Sequence, residues 1–366
     1  MSKENNNNKQ SGGILGGILL LIVGIGILWY NEGRTVKNQS AINEARKKYV
    51  DVSSKKVDSK YDGKLVATKG KLDLSEVNEL SDSKFGIKVK AAKLVRTVEM
   101  YQWEESCETD DNDKKKCTYE KVWESRVIDS SDFEESGHNN PDTIPYESET
   151  SIADNVKLGA FTLPEELIKS LSTNKKKNND DLNKEYNNSV ESIKVDGNYL
   201  TDVKDGNAEI GNIRISFQYL DSESVSVMAV QTDDTFEAFT SKNGKDVYKI
   251  MKGNYTGAQI LEKMTKSNNT WKWILRLIGV LLVIGAFNSM FSFINNIASM
   301  IPILGGIVTG ATGLISFVLG LVVSLVVIAI AWFRFRPLLS IALIIIVVAL
   351  IVFLKLYVKK NPKEDK

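Results

Sequence analysis

Long apolar runs lie at the two ends of the chain, and nearly all the charge lies between them. Residues 12–30 carry no charged side chain over 19 positions, close to the roughly 20 residues that a helix needs to cross a bilayer. Between Ile14 and Leu28, 11 residues are Leu, Ile or Val, and each favours insertion by about 0.3–0.6 kcal/mol. This run predicts transmembrane helix 1. A cleaved signal peptide is the alternative, but bulky and polar residues follow the run where a small-residue cleavage site is expected.

Three further apolar runs lie towards the C-terminus. Residues 271–290 predict transmembrane helix 2, with the long side chain of Arg276 reaching the membrane interface. Residues 303–333 predict transmembrane helix 3, either as one tilted helix or as a glycine-broken entry segment followed by a helix. Residues 338–358 predict transmembrane helix 4. Glycines spaced four apart in the first run permit close helix packing, so a homo-oligomer is a further hypothesis.

The distribution of basic residues predicts the orientation. Four spans place both termini on one side of the membrane, and the segment 355–366 carries five lysines against two arginines in the short turn before helix 4. Positive charge favours the cytoplasmic side, so the basic tail, residues 359–366, is predicted to be cytoplasmic. Residues 31–270 then form an extracytoplasmic domain, luminal or periplasmic. The predicted fold class is a multipass α-helical membrane protein, with one N-terminal and three C-terminal spans and a large inserted α+β, strand-rich domain.

Short alternating runs with turn residues between them make this domain strand-rich. Helical pieces are predicted at its start, within it and at its end, at residues 38–50, 164–172 and 256–268. The N-terminal residues 1–11 are predicted to be a disordered tail. Residues 173–189 are poor in apolar side chains and mixed in charge, which predicts a flexible insertion.

The two cysteines of the chain, Cys107 and Cys117, lie in one segment between two aromatic-rich arms. An antiparallel hairpin with these cysteines opposed places Tyr101 opposite Trp123 and Trp103 opposite Lys121. In an oxidising compartment this arrangement predicts a structural disulfide. A reduced pair and a redox role are the alternatives, but no Cys-x-x-Cys motif or histidine cluster accompanies the cysteines.

Candidate chemistry is sparse in this sequence. His138 is the only histidine, so a histidine-based metal cluster or catalytic triad lacks parts, and we predict no catalytic residue, cofactor or metal. The net charge of +1 gives no reason to expect a nucleic-acid partner. The spans hold no Asp, Glu or Lys at mid-depth, which disfavours a transporter or channel.

Several motifs resemble the transmembrane protein 43 family, also called LUMA. They are NEGR (Asn31, Glu32, Gly33, Arg34), residues 93–103 with Glu99, Tyr101 and Trp103, residues 123–141 with Trp123, Gly137, His138 and Pro141, residues 239–244, and Arg336 with Pro337. The resemblance covers nearly the whole chain, from about Gly12 to about Val358, although the cysteine pair is not part of the family's motifs. The Asn- and Lys-rich composition is typical of an AT-rich genome, which favours a bacterial or protist member.

The resemblance implies a non-enzymatic multipass protein. In animals such proteins place the large domain in the lumen of the endoplasmic reticulum and nuclear envelope, and they associate with envelope proteins and organise membranes. For a bacterial member it implies the cytoplasmic membrane, with the domain outside. Membrane lipid and protein partners are therefore expected.

Each motif residue also has a purely structural interpretation. Glu32 and Arg34 form either an interfacial anchor or a contact to a lipid headgroup or partner. Tyr101 and Trp103 serve hairpin packing or a ligand surface. His138 is predicted to fix a turn through side-chain hydrogen bonds, because turn-forming residues surround it.

The sequence thus predicts a membrane scaffold or organiser whose outer domain contacts lipid or protein partners and takes part in a membrane or envelope stress response. The alternative from another class is a carboxylate-dependent membrane hydrolase acting on lipid or envelope material.

Overall fold

The structure, a computed structural model, describes residues 4–109, 115–298, 305–333 and 337–360. The chain divides into two compact units. The helical unit comprises residues 1–47, 240–245 and 261–366, and the strand-rich unit comprises residues 48–239 and 246–260.

Helices occur in both units: the long ones lie mainly in the helical unit, and the short ones lie in the strand-rich unit. In the described ranges the α-helices are α1 (Glu4–Lys48), α2 (Glu165–Ser170), α3 (Asn179–Glu185), α4 (Gly257–Ala298), α5 (Gly305–Phe333) and α6 (Pro337–Lys360), and Ser59–Tyr61 form one 3₁₀ turn. Among these, Ile14–Lys48, Gly257–Phe291 and Gly313–Phe333 are long and apolar enough to cross a membrane. A shorter apolar segment, Ile344–Phe353, lies within α6. Apolar helices thus form at all four predicted runs.

The helices extend beyond the apolar runs that predicted them. α1 has 45 residues and α4 has 42, because the polar helical pieces predicted at residues 38–50 and 256–268 continue the spans without a break. α1 also begins at Glu4, so helix replaces most of the disordered tail predicted for residues 1–11. α5 is continuous from Gly305, which favours one long helix over a glycine-broken one.

The remaining elements are strands. In the described ranges they are β1 (Val50–Asp51), β2 (Leu65–Asp73), β3 (Leu80–Ser81), β4 (Lys88–Val89), β5 (Lys93–Thr109), β6 (Lys115–Glu124), β7 (Glu149–Ile152), β8 (Lys157–Leu158), β9 (Phe161–Thr162), β10 (Lys175–Lys176), β11 (Lys194–Asp196), β12 (Tyr199–Thr201), β13 (Ile213–Leu220), β14 (Ser224–Thr232), β15 (Thr235–Glu237), β16 (Phe239–Thr240), β17 (Asp246–Val247) and β18 (Lys249–Lys252). The predicted α+β, strand-rich domain between the spans is confirmed.

Two larger sheets organise the described part of the strand-rich unit. The first has the order β15-β14-β2-β8-β9, with β1 beside β2 and β18 beside β14. The second has the order β11-β12-β13-β5-β6, with β10 beside β13 and β7 beside β5. Each sheet has its own apolar core, one including Phe161, Leu158 and Phe236 and the other including Phe85 and Phe217. The strand-rich unit therefore has two apolar cores of its own.

Residues 173–189 are folded against the second sheet, which corrects the prediction of a flexible insertion. β10 pairs with β13, and α3 begins with a capping box in which the Asn178 side chain and the Asp181 backbone N–H lie 2.9 Å apart. Leu182 is fully buried in the core, and Lys177 is buried too. The segment's average composition conceals one apolar face on a short, charged helix.

β5 is unusually long, with 17 residues. Its first half pairs with β13 and β7, and from Met100 onward it pairs with β6 as a two-stranded ribbon. This ribbon, residues 100–109 and 115–124, carries the cysteines and most of the aromatic motif residues.

Candidate functional site

The NEGR motif lies in the middle of α1, after the apolar run. Leu28, Asn31, Glu32 and Thr35 are buried, and their spacing places them on one face of a helix. Gly33 and Arg34 lie outside this face and are partly exposed. The motif therefore places the carboxylate of Glu32 and the amide of Asn31 in the interior of the helical unit.

Glu32 is fully buried and forms an ion pair with Arg276 of α4, which is 7% exposed. Arg276 Nε donates to Glu32 Oε1 at 2.5 Å and its Nη2 donates to Oε2 at 2.9 Å. The indole N–H of Trp332 on α5 also donates to Oε2. A planar guanidinium matches a carboxylate in this two-point geometry, which gives both strength and a fixed orientation.

Aromatic rings enclose the guanidinium of Arg276. Its central carbon lies 4.6 Å from the centre of the Trp332 ring and 4.9 Å from that of Trp273, within the range of cation–π attraction. Glu32, Arg276 and Trp332 thus link α1, α4 and α5, and we call this set the buried ion-pair cluster.

Amide side chains extend the polar contact along α1 and α4. Asn31 Nδ2 donates to the backbone carbonyl of Lys272 at 2.9 Å, one turn before Arg276. A further turn away, Asn268 Nδ2 donates to the carbonyl of Thr35 at 3.1 Å. Contacts at residues 268, 272 and 276 recur every four residues, so they fix the register of the two antiparallel helices.

Glycines allow these helices to approach closely. A Cβ atom on Gly24 would lie 2.8 Å from Val283 Cγ2 and 3.2 Å from the carbonyl oxygen of Gly279. A Cβ on Gly17 would lie 3.0 Å from the carbonyl oxygen of Ala286. Gly17 and Gly24 thus permit close packing of α1 on α4, whereas nothing lies within 4 Å of a Cβ placed on Gly16; the homo-oligomer stays a prediction.

The buried ion-pair cluster bears on two sequence expectations. Arg276 pairs with Glu32 instead of extending outward from α4, and Glu32 is buried and accepts three hydrogen bonds inside the helical unit, a partnership that the sequence did not predict. Sequence reasoning missed the pairing because 244 residues separate the two charges. The available signal was one acidic and one basic residue, each at the edge of a charge-poor span.

In the strand-rich unit the predicted hairpin register is confirmed. Cys107 pairs with Cys117 as a disulfide, Tyr101 lies opposite Trp123, and Trp103 lies opposite Lys121. The rings of Tyr101 and Trp123 have centres 5.0 Å apart. The Lys121 ammonium lies 4.8 Å from the centre of the Trp103 ring.

A second ion pair lies at the base of the ribbon. Glu99 of β5 lies opposite Arg214 of β13 and accepts two hydrogen bonds from its guanidinium, at 2.7 and 2.9 Å. These bonds raise the pKa of Arg214. The guanidinium lies between the rings of Trp123 and Tyr199, at 4.8 and 5.0 Å, and the three side chains border a cavity of about 230 Å³. Arg214 and Tyr199 were not singled out from the sequence.

His138 lies against the ribbon. Its ring stacks on Tyr119 with centres 3.9 Å apart and meets the edge of Trp103 at 4.6 Å. Its Nδ1 is buried and has no hydrogen-bond partner among the described residues. Nδ1 of His138 therefore does not fix the turn by a hydrogen bond. Asn140 takes this role, because its side chain accepts from the N–H of Trp103 at 2.7 Å and donates to the carbonyl of Trp103 at 2.8 Å.

The other residues of this turn have backbone roles. Gly137 has φ +99°, a conformation that favours glycine. Pro141 packs against Gly211, where a Cβ atom would lie 3.3 Å from the proline ring. The motif around His138 thus shapes the loop that covers one face of the ribbon.

One group of possible metal ligands occurs among the described residues, comprising Glu105, Cys107 and Cys117. The two sulfurs are bonded to each other and so cannot act as thiolate ligands. Glu105 instead accepts a hydrogen bond from the Tyr119 hydroxyl at 2.6 Å, which lowers the pKa of its carboxyl group. Arg336 lies outside the described residues, and Pro337 is the first residue of α6.

Comparison with known proteins identifies the family. The family model described as Transmembrane protein 43 matches residues 100–337, more than half of the chain. The chain belongs to the transmembrane protein 43 family. Transmembrane protein 43 of Pongo abelii is 29% identical over 341 residues, covering 88% of this chain and 84% of that protein. The human protein is 28% identical over the same shares, and the Drosophila melanogaster homolog is 27% identical over 90% of each chain.

No solved structure matches the chain. Membership of the transmembrane protein 43 family, together with several apolar helices, establishes an integral, multipass membrane protein. The resemblance seen in the NEGR, ribbon and His138 motifs is thereby confirmed. In this member of the transmembrane protein 43 family, the NEGR motif contributes Glu32 to the buried ion-pair cluster. Two motif residues, Glu99 and Trp123, meet Arg214 and Tyr199 in the strand-rich unit, and we call these four residues the ribbon site.

Proposed function

We propose that the protein is a non-enzymatic membrane scaffold that holds its strand-rich unit at the bilayer for contact with lipid or protein partners. The buried ion-pair cluster is the observation that carries this proposal. α1 precedes the strand-rich unit along the chain and α4 follows it, and the pair between Glu32 and Arg276 fixes these two helices to each other. A buried pair of this kind favours one helix register over others.

The proposed topology has four spans with both termini in the cytoplasm and the strand-rich unit outside it. The disulfide between Cys107 and Cys117 supports this orientation, since such bonds persist in oxidising compartments. The compartment is then the lumen of the endoplasmic reticulum and nuclear envelope, or the outer side of a bacterial cytoplasmic membrane. A role in envelope stress response belongs to the same hypothesis.

The ribbon site is the proposed contact surface. Trp123, Tyr199 and Arg214 lie together at its base, and Trp, Tyr and Arg are the residues that most often dominate the energy of protein interfaces. Their stacking holds the side chains in place before binding, which lowers the entropy lost on association. Among the described residues, no arrangement of carboxylates favours the alternative of a carboxylate-dependent membrane hydrolase over the scaffold hypothesis.

The test is enrichment of partners around the full-length protein. Polymer-extracted native nanodiscs are prepared from host membranes, and their proteins and lipids are quantified by mass spectrometry against the bulk membrane. We expect one or more components at near-stoichiometric enrichment, reduced at least fivefold by Tyr199→Ala. Tyr61→Ala is the matched control, because Tyr61 is also partly buried in the strand-rich unit but packs on the core of the first sheet, outside the ribbon site. No enrichment, or equal loss in both variants, contradicts the proposal.

A further inference from the structure

β6 forms one edge of the second sheet. Its register with β5 runs without interruption from Lys115 to Glu124, so no bulge turns the edge away from a neighbour, and the strand contains no proline. Bulges, prolines and very short strands are common protections of a sheet edge. β6 has 10 residues and none of these protections, so its edge is open to a further strand.

Alternate residues of β6 point their backbone groups out from this edge. In β5, the N–H and the carbonyl of Trp103 bond to the side chain of Asn140, away from β6. Trp103 and Lys121, which lie opposite each other, are therefore a non-hydrogen-bonded pair, and the backbone groups of Lys121 also point outward. The alternation of an antiparallel ladder extends this to Cys117 and Tyr119. No hydrogen bond from the described part of the chain satisfies these outward groups.

One face of the ribbon carries charges that the ribbon itself does not pair. Glu120 lies opposite Glu104, and like charges in opposite positions are destabilising. Lys116 lies opposite Glu108, yet among the described residues no ion pair joins them. Because side chains alternate along a strand, Lys116, Thr118 and Glu120 share one face, and all three are exposed.

This order of side chains is complementary to itself. When two β6 edges meet in antiparallel orientation, outward residues must lie opposite outward residues, so only every second register is allowed. The register centred on Thr118 places Lys116 of each copy opposite Glu120 of the other, on both sides of a two-fold axis. The two neighbouring allowed registers place Thr118 opposite Lys116 or Glu120, and they form neither of these ion pairs.

The other face of the ribbon accommodates the same register. It brings Lys115 opposite Lys121 of the second copy, but Lys115 already pairs with Glu134, and Lys121 lies over the ring of Trp103. These two lysines would also occupy hydrogen-bonded positions, where side chains are farther apart, whereas the two ion pairs occupy the closer, non-hydrogen-bonded positions. Attraction between the copies therefore exceeds repulsion.

We infer that the edge of β6 is an interface between two copies of the chain, in which residues 115–121 pair in antiparallel orientation about Thr118 and join two sheets into one. This surface lies outside the ribbon site, so it is independent of the proposed partner contact. It also does not use the glycines of α1, so it is distinct from an association through the membrane helices.

The test is hydrogen exchange of residues 115–122 in the full-length protein in detergent, followed by mass spectrometry. Lys116→Glu and Glu120→Lys each turn both ion pairs of the interface into like-charge pairs, and each alone is expected to speed exchange about fivefold or more. In a one-to-one mixture of the two variants, the glutamates of one copy lie opposite the lysines of the other. Exchange in the mixture is therefore expected within about twofold of the unmodified protein.

The mixture also separates association from damage within one chain, because effects of each substitution on its own ribbon persist in the mixture. Lys176→Glu and Glu191→Lys serve as controls, since they reverse exposed charges of the strand-rich unit outside β6; alone or mixed, they should leave exchange in β6 unchanged.

The inference is overturned if the mixture of Lys116→Glu and Glu120→Lys exchanges as fast as the single variants. It is also overturned if all samples exchange alike, the result expected when copies associate only through their helices or when the edge of β6 receives a strand of another protein.

Discussion

The sharpest stability prediction concerns the buried ion-pair cluster. Glu32→Gln preserves the shape of the side chain but removes its charge, so the buried guanidinium of Arg276 loses its counter-ion. Removing one partner of a buried pair costs about 3–5 kcal/mol, because the remaining charge stays in a low-dielectric interior. Arg276→Gln is expected to cost a similar amount, since it leaves the Glu32 carboxylate with the indole of Trp332 as its remaining side-chain donor.

The double variant separates pairing from burial. With both side chains changed to Gln, neither charge is buried, so the loss of unfolding free energy should be smaller than the sum of the two single losses by at least about 2 kcal/mol. The measurement is SDS-induced unfolding of the full-length protein in mixed micelles, followed by far-ultraviolet circular dichroism, whose signal comes mainly from the helices.

Glu262→Gln is the matched control, because Glu262 is an exposed carboxylate on the same helix as Arg276. It should change the unfolding free energy by less than about 0.5 kcal/mol. Single losses below about 1 kcal/mol, or losses that add without coupling, would refute the reasoning that the pair fixes α1 to α4.

Three further predictions follow from the packing and the ribbon. Gly24→Ala should destabilise the helical unit by about 1–3 kcal/mol because its Cβ clashes with α4, whereas Gly26→Ala, where no described atom lies within 4 Å, should not; the same SDS titration measures both. Replacing both ribbon cysteines by serine should destabilise the ribbon by about 2–3 kcal/mol, seen as faster hydrogen exchange confined to residues 98–127. Tyr119→Phe should raise the pKa of Glu105, because that pKa is lowered chiefly by the Tyr119 hydroxyl. Because the pKa of Glu105 is lower in the folded than in the unfolded state, its ionised carboxylate stabilises the fold above the unfolded-state pKa, and this stabilisation is lost as the pH falls through the folded-state pKa. The variant should therefore show a weaker acid-induced loosening of the ribbon. An unchanged titration of the Glu105 carboxyl group by NMR would contradict this.

Local patterns predicted the elements of this chain well. A period of 3.6 residues or a charge-free run is visible within one segment, so the spans and the flanking helices could be placed from the sequence. The ribbon register could also be derived, because opposing Cys107 with Cys117 in an antiparallel pair determines every other pair along it.

Long-range partners could not be predicted in this way. The burial of Glu32 follows from a helix face, but its partner Arg276 depends on which helices pack together, which periodicity does not encode. The same limit applies to Arg214, which meets Glu99 only through the pairing of β5 with β13. His138 shows a related limit, because ring stacking on Tyr119 depends on how the loop closes over the ribbon.

Average composition misled at residues 173–189. Charged and amide side chains dominate the segment, yet its single leucine, Leu182, is fully buried and anchors the short helix α3. The average composition of a segment reflects mainly its many solvent-exposed residues, whereas folding depends on the few residues that become buried.

The most direct test of the whole account is impermeant maleimide labelling of Cys107 and Cys117 in intact cells or sealed vesicles, with and without reductant. The account predicts labelling only after reduction, and only from the side opposite the cytoplasm, which for an endomembrane requires opening of the lumen. Ready labelling from the cytoplasmic side without reductant would contradict it, because the strand-rich unit would then face cytoplasmic partners and the ribbon would lack its disulfide.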